Sequence, residues 1–242
     1  MILKRFQKRS TEEEIMDNFE LDGDILDDAL KDIEWVNTWL GGNHVSVKGV
    51  FRWIRETERS HNSPIRIADL GCGGGDTLRA IAARADKQGI PVQLTGIDAN
   101  LHTIEFARNA STGCSNIDYL QADLLDPEFI FDDYDLVLCG LFLHHLTNKE
   151  LDILFSSLTQ SSVSGIVIND LQRSPVAYFA FQGLSWILGM SPMARQDGLL
   201  SIKRSFRKQE LSSLLIRHGI PIPRIAWKWA FRYLVVVDIP QA

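Results

Sequence analysis

The chain of 242 residues lacks the features that mark several large classes of protein. It contains three cysteines, and no two of them are spaced as Cys-x-x-Cys. Neither a disulfide framework nor a metal site is therefore predicted, and a reducing, cytoplasmic location is expected. Polar residues interrupt the longest apolar run, 176–190, which is shorter than the roughly 18 residues that a membrane-spanning helix needs. We expect no transmembrane segment.

An excess of positive charge is also missing. The 31 acidic residues outnumber the 25 basic ones, and the formal net charge is −6. Because nucleic-acid binding usually requires a basic face, no nucleic-acid partner is expected. We interpret a local basic cluster at 203–208 as a solvated loop and the start of a helix. The first ten residues lack the apolar core of a signal peptide, and no feature of the sequence predicts an oligomeric state.

Short apolar runs alternate with helical stretches from Pro64 onward. This alternation predicts a doubly wound α/β sheet of mostly parallel strands, with helices on both faces. The predicted strands are Ile65–Leu70, Val92–Asp98, Ile117–Gln121, Leu136–Cys139 and Gly165–Asp170. The predicted helices between them are Asp76–Lys87, Leu101–Ala110, a short one at Pro127–Phe131, and Lys149–Leu158.

Other segments lie outside this alternation. Residues 1–62 show apolar residues at helical spacings and no strand pattern, which predicts an N-terminal helical layer. Residues 63–242 form the main domain. Its segment 174–202 is too long for an ordinary connection, so we expect a helical cap, an apolar helix followed by a loop, over a ligand site. The remaining predicted elements are helices at Val45–Thr57 and Arg207–His218 and closing strands at Arg224–Lys228 and Arg232–Val237.

The first predicted strand leads into a loop with glycines at 71, 73, 74 and 75, and a helix follows. Glycines at such a turn let a ligand approach the backbone closely. A dinucleotide fingerprint counted from Gly71 needs a small residue where Asp76 stands, and the ending of a phosphate-binding P-loop is missing. The loop therefore favours a positively charged adenosyl ligand without phosphate.

Aspartates stand at the ends of three successive predicted strands beside this loop. Asp69 would lie near the amino group of the ligand, and Asp98 would accept both ribose hydroxyls. Asp123 would accept from the adenine amino group, with Leu124 against the ring face. A helix cap or a turn is the alternative role for any single aspartate. Three of them at one edge of the sheet favour the ligand.

The run Asp69-Leu-Gly-Cys-Gly-Gly-Gly resembles the first motif of class I S-adenosylmethionine-dependent methyltransferases, and the resemblance extends over residues 64–170. It implies S-adenosylmethionine as the cofactor and a seven-stranded Rossmann-like sheet with an antiparallel last strand. It also implies cofactor contacts from Asp69, Gly71, Cys72, Gly73, Asp98, Ala99, Asp123, Leu124, Cys139 and Gly140.

Two adjacent histidines, His144 and His145, follow the fourth predicted strand. In the family that this chain resembles, the segment passes the methionine end of the cofactor, so both are candidate catalytic residues near the methyl acceptor. A histidine is a suitable general base for a hydroxyl acceptor near neutral pH, and we prefer His144. The alternative is a structural role for one or both, and a carbon or nitrogen acceptor need not require a base.

Segments 37–42, 169–178 and 195–206 are similar to bacterial methyltransferases of phenolic, polyketide-type products. This resemblance implies O-methylation of a phenolic or lipid-like small molecule. The apolar residues of the insert suit such an acceptor or an interfacial contact, and packing of the cap against the core is the alternative. Candidates for a polar network that braces the insert are Asp170, Arg173, Arg195, Asp197 and Arg204.

Two other functions stay open. One is methylation of RNA or protein, which the acidic composition disfavours, as does the lack of an Asn/Asp-Pro-Pro-Tyr/Phe segment after the fourth strand. The other is a module that binds S-adenosylmethionine without catalysis, which would show binding but no turnover on any acceptor.

Overall fold

The computed structural model describes residues 6–57, 63–220 and 224–240. Its helices are α1 (Asp24–Trp39), α2 (Gly42–Glu56), α3 (Asp76–Gln88), α4 (Leu101–Ala110), α5 (Asn148–Gln160), α6 (Pro175–Ile187), α7 (Pro192–Arg204) and α8 (Lys208–Arg217). Its strands are β1 (Ile65–Leu70), β2 (Val92–Asp98), β3 (Ile117–Gln121), β4 (Leu136–Gly140), β5 (Gly165–Leu171), β6 (Ala226–Lys228) and β7 (Arg232–Asp238).

The strands form one sheet in the order β3-β2-β1-β4-β5-β7-β6. Strands β1 to β5 are parallel, whereas β7 runs antiparallel to β5, and β6 pairs antiparallel with β7. The predicted doubly wound, mostly parallel sheet with an antiparallel last strand is confirmed. The strand order reverses between β1 and β4, and the carboxyl ends at such a switch point are where ligands bind in open α/β sheets.

Helices cover both faces of the sheet and bury a separate apolar cluster on each. One cluster joins α2, α3 and α4 to the sheet, with Phe51 and Ile81 fully buried. The other joins α5 and α8 to the opposite face, with Leu154 and Leu215 fully buried. A third, smaller cluster joins α1 to α7 and the turn before it. The sheet is therefore held rigidly on both sides of its carboxyl edge.

The chain before α1 departs from the predicted helical layer. Helices α1 and α2 are present, but residues 6–22, which we call the N-terminal strap, contain no α-helix and have a 3-10 turn at Ile15–Asp17. The strap is held by hydrogen bonds to α7. The carboxylate of Asp197 accepts the N–H groups of Ile15 at 2.9 Å and of Met16 at 3.0 Å. Polar contacts with the cap replace the apolar face that a helix would have needed.

The insert at 174–202 contains two helices, so the loop predicted after its apolar helix is wrong. Each helix begins with a Ser-Pro pair whose serine caps the terminus: Ser174 accepts the N–H of Ala177, and Ser191 accepts that of Ala194. Serine at the N-cap followed by proline at the first helical position is a strong start for a helix.

Helix α6 turns an apolar face to solvent. Its exposed side chains are Val176, Phe179, Trp186 and Ile187, which are 50–83% exposed. In the described ranges, no helix combines the length and apolar content that crossing a membrane requires.

The short helix predicted at Pro127–Phe131 is wrong, because that segment forms turns. The side chain of Asp126 accepts the N–H of Glu128 at 2.9 Å, and its carbonyl accepts that of Phe129 at 3.0 Å. Phe129 and Phe131 pack edge to face with ring centroids 4.9 Å apart. Local capping by aspartate competes with a helix at such positions.

Candidate active site

The loop after β1 offers backbone rather than side chains to a ligand. Gly71 and Gly73 have φ values of +65° and +51°, a conformation that glycine adopts without strain. A Cβ atom at Gly71 would stand 2.3 Å from the ring of Phe142, whereas nothing lies within 4 Å of one at Gly73. The backbone at Gly73 is therefore open to a bound molecule.

Asp98, at the end of β2, is tied to this loop. Its Oδ2 accepts the N–H of Gly73 at 3.2 Å, and its Oδ1 accepts that of Asn100 at 3.0 Å. Burial raises the pKa of Asp98, and these N–H groups offset only part of the effect. Asp123 is more exposed, and its Oδ1 accepts the N–H of Leu125 at 2.9 Å. Asp98 ends β2 and Asp123 follows β3, and both line the same cavity at the carboxyl edge of the sheet.

Asp69, at the end of β1, is a buried carboxylate whose Oδ1 has no hydrogen-bond partner among the described residues. Burial, together with the nearby charges of Asp76 and Asp98, raises its pKa well above the usual value. A carboxylate in this environment is stabilised by a cation. The positively charged amino and sulfonium groups of S-adenosylmethionine supply one, so the residues at this edge fit that cofactor.

A cavity of about 1340 Å³ extends from the glycine loop to the region under the cap. Cys139 does not line it, because its side chain is fully buried in the core on the α5 and α8 face of β4. Neighbouring side chains on a strand point to opposite faces, which explains this exception. The predicted cofactor residues that line the cavity are Asp69, Gly71, Cys72, Gly73, Asp98, Ala99, Asp123, Leu124 and Gly140.

His144 lies in the wall of this cavity and is held by Asp170 of β5. Its Nδ1 is 2.7 Å from Oδ1 of Asp170, and its backbone N–H donates to Oδ2 at 3.1 Å. Burial alone raises the pKa of Asp170, but the interaction with His144 more than offsets it, so the pKa is lowered. With Nδ1 occupied, the imidazole presents Nε2 for other chemistry.

His145 is paired with the N-terminal strap. Its Nδ1 is 2.7 Å from Oδ1 of Asp17, and its ring lies 4.3 Å from that of His144 between centroids. Burial lowers the pKa of His145, but the carboxylates of Glu14 and Asp17 more than offset this, so the pKa is raised. Burial likewise raises the pKa of Asp17, yet its bond to His145 helps to lower it to about 2. The pair therefore favours a carboxylate facing an imidazolium.

Arginines hold the strap and the histidine segment together. Arg204 of α7 donates to Asp17 and to the carbonyl oxygens of His144 and His145. Arg9 of the strap donates to the same carbonyl of His144 at 3.0 Å. Arg204 is 6% exposed, so the interpretation of the cluster at 203–208 as solvated is wrong for this residue. The histidine segment is thus fixed by both the strap and the cap.

Glu14, His144 and His145 place ligand-type atoms within 4.8 Å of one another, a spacing at which a metal ion can bind. Positive charge is already present there, because Nε of Arg204 lies 3.8 Å from Oε1 of Glu14. The cationic side chain of Arg204 therefore balances the charge of the Glu14 carboxylate.

The polar residues predicted to brace the insert have separate partners. Asp170 holds His144, while Asp197 and Arg204 hold the strap. Arg173 pairs with Glu210, and Arg195 stacks on Trp186 within the insert, 4.2 Å from the ring centroid. Asp197 and Arg204 of α7 therefore both tie the cap to the strap, as the predicted bracing requires. Asp170 organises the histidine segment instead, and Arg173 joins the strap to the start of α8.

Several residues of the site escape sequence analysis. Arg9, Glu14 and Asp17 come from a strap without periodicity, and Arg232 is the first residue of β7. Their partners lie far away in the chain: Asp17 is 128 residues from His145. No local pattern marks such pairs, and the acidic run that contains Glu14 resembles any solvated segment.

The comparisons with known proteins agree with this geometry. A family model described as a methyltransferase domain matches residues 67–163. A ubiquinone biosynthesis O-methyltransferase from Saccharophagus degradans is 27% identical over 170 residues, covering 68% of this chain and 67% of that protein. Another from Rickettsia prowazekii is 32% identical over 168 residues, covering 67% and 62%. The chain thus spans less than two thirds of the second relative.

Solved structures share the fold. The plantazolicin methyltransferase in complex with SAH is 22% identical, with a TM-score of 0.59, covering 78% of this chain and 67% of that one. Magnesium protoporphyrin IX methyltransferase from Synechocystis PCC 6803 with bound SAH is 17% identical, with a TM-score of 0.54, covering 86% and 87%.

Proposed function

We propose that this chain, which belongs to the class I S-adenosylmethionine-dependent methyltransferases, methylates a hydroxyl group of a phenolic or lipid-like small molecule. The observation that carries the proposal is the His144–Asp170 pair in the cavity wall. A hydroxyl acceptor gains from a base held in this way, because it loses its proton as the oxygen attacks the methyl group.

When bound, S-adenosylmethionine supplies an electrophilic methyl group on its sulfonium. Nε2 of His144 accepts the proton of the acceptor hydroxyl as the oxygen attacks. Asp170 holds the imidazole in the tautomer with the proton on Nδ1 and stabilises the imidazolium that forms. Because the pKa of His145 is raised, the protonated fraction of His145 near neutral pH is larger than that of an ordinary histidine, so it is less available as a base. His144 is therefore the base.

The strap and the cap position the acceptor and exclude water. Arg9 and Arg204 fix the backbone that carries His144, which keeps Nε2 in place as the proton moves. Residues of the strap and of the insert also line the cavity beside the histidines. Alignment in a water-poor site is the main contribution that a protein makes to a displacement of this kind.

Two observations support an apolar phenolic acceptor. The curated relatives are ubiquinone biosynthesis O-methyltransferases. The part of the cavity under the cap also has apolar walls, to which Leu30, Phe181, Leu184 and Met190 contribute. We also propose that the exposed apolar face of α6 contacts an apolar interface, from which such an acceptor enters the cavity. Three free cysteine thiols support a cytoplasmic location.

The test is methylation of simple phenols and catechols with and without alkyl tails, with product detected by mass spectrometry. We expect a methylated hydroxyl, with tailed acceptors favoured. Replacement of His144 by Gln should abolish most of the turnover while binding of S-adenosylhomocysteine persists. Binding without turnover on any phenol, or methylation of RNA or protein instead, would overturn the proposal.

A further inference from the structure

Arg232 opens β7 in the wall of the cavity and is 2% exposed. Its Nε and Nη1 atoms are buried and have no hydrogen-bond partner within the described ranges. Burial lowers the pKa of this guanidinium to about 10, although the charge of Asp170 acts in the opposite direction. An arginine is rarely buried without acceptors, because desolvation of the charge is costly unless it is paired.

The first turn of α2 adds positive potential at the same place. The guanidinium lies beside Gly42, with Nη1 2.8 Å from the position a Cβ atom there would take. The N-cap residue is Gly41, and in the described part of the chain no side chain caps this terminus. A helix N-terminus carries partial positive charge and free N–H groups. Two unsatisfied electropositive groups therefore meet at one point.

Two nearby carboxylates, those of Asp170 and Asp76, already have hydrogen-bond partners. Oδ1 of Asp170 lies 2.7 Å from Nδ1 of His144, and its oxygens also accept the backbone N–H groups of His144 and Leu171. Asp76 accepts from the side chain of Asn43 at 2.8 Å. Among the described residues, no carboxylate, that of Asp69 included, forms an ion pair with the guanidinium, so a molecule in the cavity can supply the counter-charge.

We propose that Arg232 and the N-terminus of α2 form a binding site for a carboxylate of a ligand in the cavity. The planar guanidinium binds a carboxylate through two parallel hydrogen bonds, which would satisfy the orphaned donors. Such a carboxylate has two sources: the methionine carboxylate of S-adenosylmethionine, or an acidic group on the methyl acceptor. The second source rests on the proposed function, and the first rests on the family alone.

Calorimetry separates the two sources. The ligands are S-adenosylhomocysteine and methylthioadenosine, which lacks the carboxylate, followed by para-hydroxybenzoate and its methyl ester on the complex with S-adenosylhomocysteine. The variants are Arg232→Gln and Gly42→Ala, in which the new methyl group pushes the guanidinium aside while Arg232 is kept. Arg52→Gln, which removes an exposed arginine at the other end of α2, is the matched control.

If the cofactor supplies the carboxylate, Arg232→Gln weakens binding of S-adenosylhomocysteine by about 10- to 100-fold and leaves methylthioadenosine unchanged. If the acceptor supplies it, the loss of similar size is seen for para-hydroxybenzoate and not for its ester. Equal affinities of the wild type and the variant for all four ligands would overturn the proposal. Since Gly42→Ala keeps the arginine, it decides the question should Arg232→Gln fail to fold. No turnover is measured, so failure of the proposed methylation would not produce the same result.

Discussion

The cavity has a cofactor wall and an acceptor wall. Residues that contact one another lie close together in sequence on the cofactor wall and far apart on the acceptor wall. Asp69 and Asp98 stand near the ends of neighbouring parallel strands, and Asp98 accepts the backbone N–H of Gly73 in the loop after β1. On the acceptor wall, His145 binds Asp17 and Arg204 spans 187 residues to the same aspartate. One wall follows from the sheet itself, whereas the other forms only when the strap, the cap and the sheet meet.

The two walls also differ in the forces that hold them. Backbone N–H groups that donate to the carboxylate of Asp98 fix the cofactor wall. Histidine–carboxylate pairs and buried arginines fix the acceptor wall, so protonation can alter its geometry. We therefore expect substitutions on the first wall to change cofactor affinity and those on the second to change turnover.

His144→Gln should give the largest effect. The variant keeps a polar side chain of similar length but cannot take up a proton, so kcat should fall by roughly 10²-fold or more. Affinity for S-adenosylhomocysteine, measured by calorimetry, should remain that of the wild type.

The matched control is His102→Gln, because His102 forms a 2.7 Å pair with Asp27 and does not line the cavity. Turnover of the control should match the wild type. An active His144→Gln variant would show that alignment alone drives the reaction and that the acceptor wall supplies no base.

Asp98→Ala should weaken binding of S-adenosylhomocysteine by about 1–3 kcal/mol, because charge-assisted hydrogen bonds are lost. Loss of the bond to Gly73 also loosens the loop. Asp118→Ala is the control, since the side chain of this exposed aspartate on β3 accepts a hydrogen bond from Gln93 and does not line the cavity. Unchanged affinity in Asp98→Ala would place the ribose contact elsewhere.

The difference between the walls explains which parts sequence analysis predicts. Short apolar runs separated by helices specify β1 to β5, and consecutive strand ends place Asp69, Asp98 and Asp123 side by side. The strap has neither periodicity nor a motif, and its structure depends on side chains of α7 that are distant in sequence. Burial of Cys139 and the unpaired guanidinium of Arg232 are likewise consequences of packing, which local sequence patterns do not predict.

Gly71→Ala and Gly73→Ala form a matched pair on the cofactor wall. Both place alanine at a positive φ, but only the methyl group at Gly71 meets the ring of Phe142. Overpacking should therefore lower the free energy of unfolding of Gly71→Ala by about 1–3 kcal/mol more than that of Gly73→Ala, measured by urea denaturation. Gly73→Ala should instead lose affinity for S-adenosylhomocysteine. Equal stability losses would mean that Phe142 moves aside freely.

Asp17→Asn should give the smallest change and is the sharpest probe of how protonation holds the strap. Because the pKa of His145 is raised, its pairing contributes stability that is complete below about pH 6.5 and is lost as the pH rises through the raised value. Because the pKa of Asp17 is lowered to about 2, its contribution is complete above about pH 4 and is lost on acidification toward that value. Loss of the pair with His145 should cost the variant about 1 kcal/mol between these limits, a modest figure because both side chains of the pair are partly exposed.

An NMR titration of His145 provides the measurement, with urea denaturation beside it. In Asp17→Asn the pKa of His145 should fall, since burial then acts against a weaker opposing charge. Asp17→Glu keeps the carboxylate and should retain most of the raised pKa, which separates charge from a merely structural effect. An unchanged pKa in Asp17→Asn would assign the charge on His145 to Glu14 alone. The strap would then stay on the acceptor wall through Arg204 and Asp197, independently of the protonation of His145.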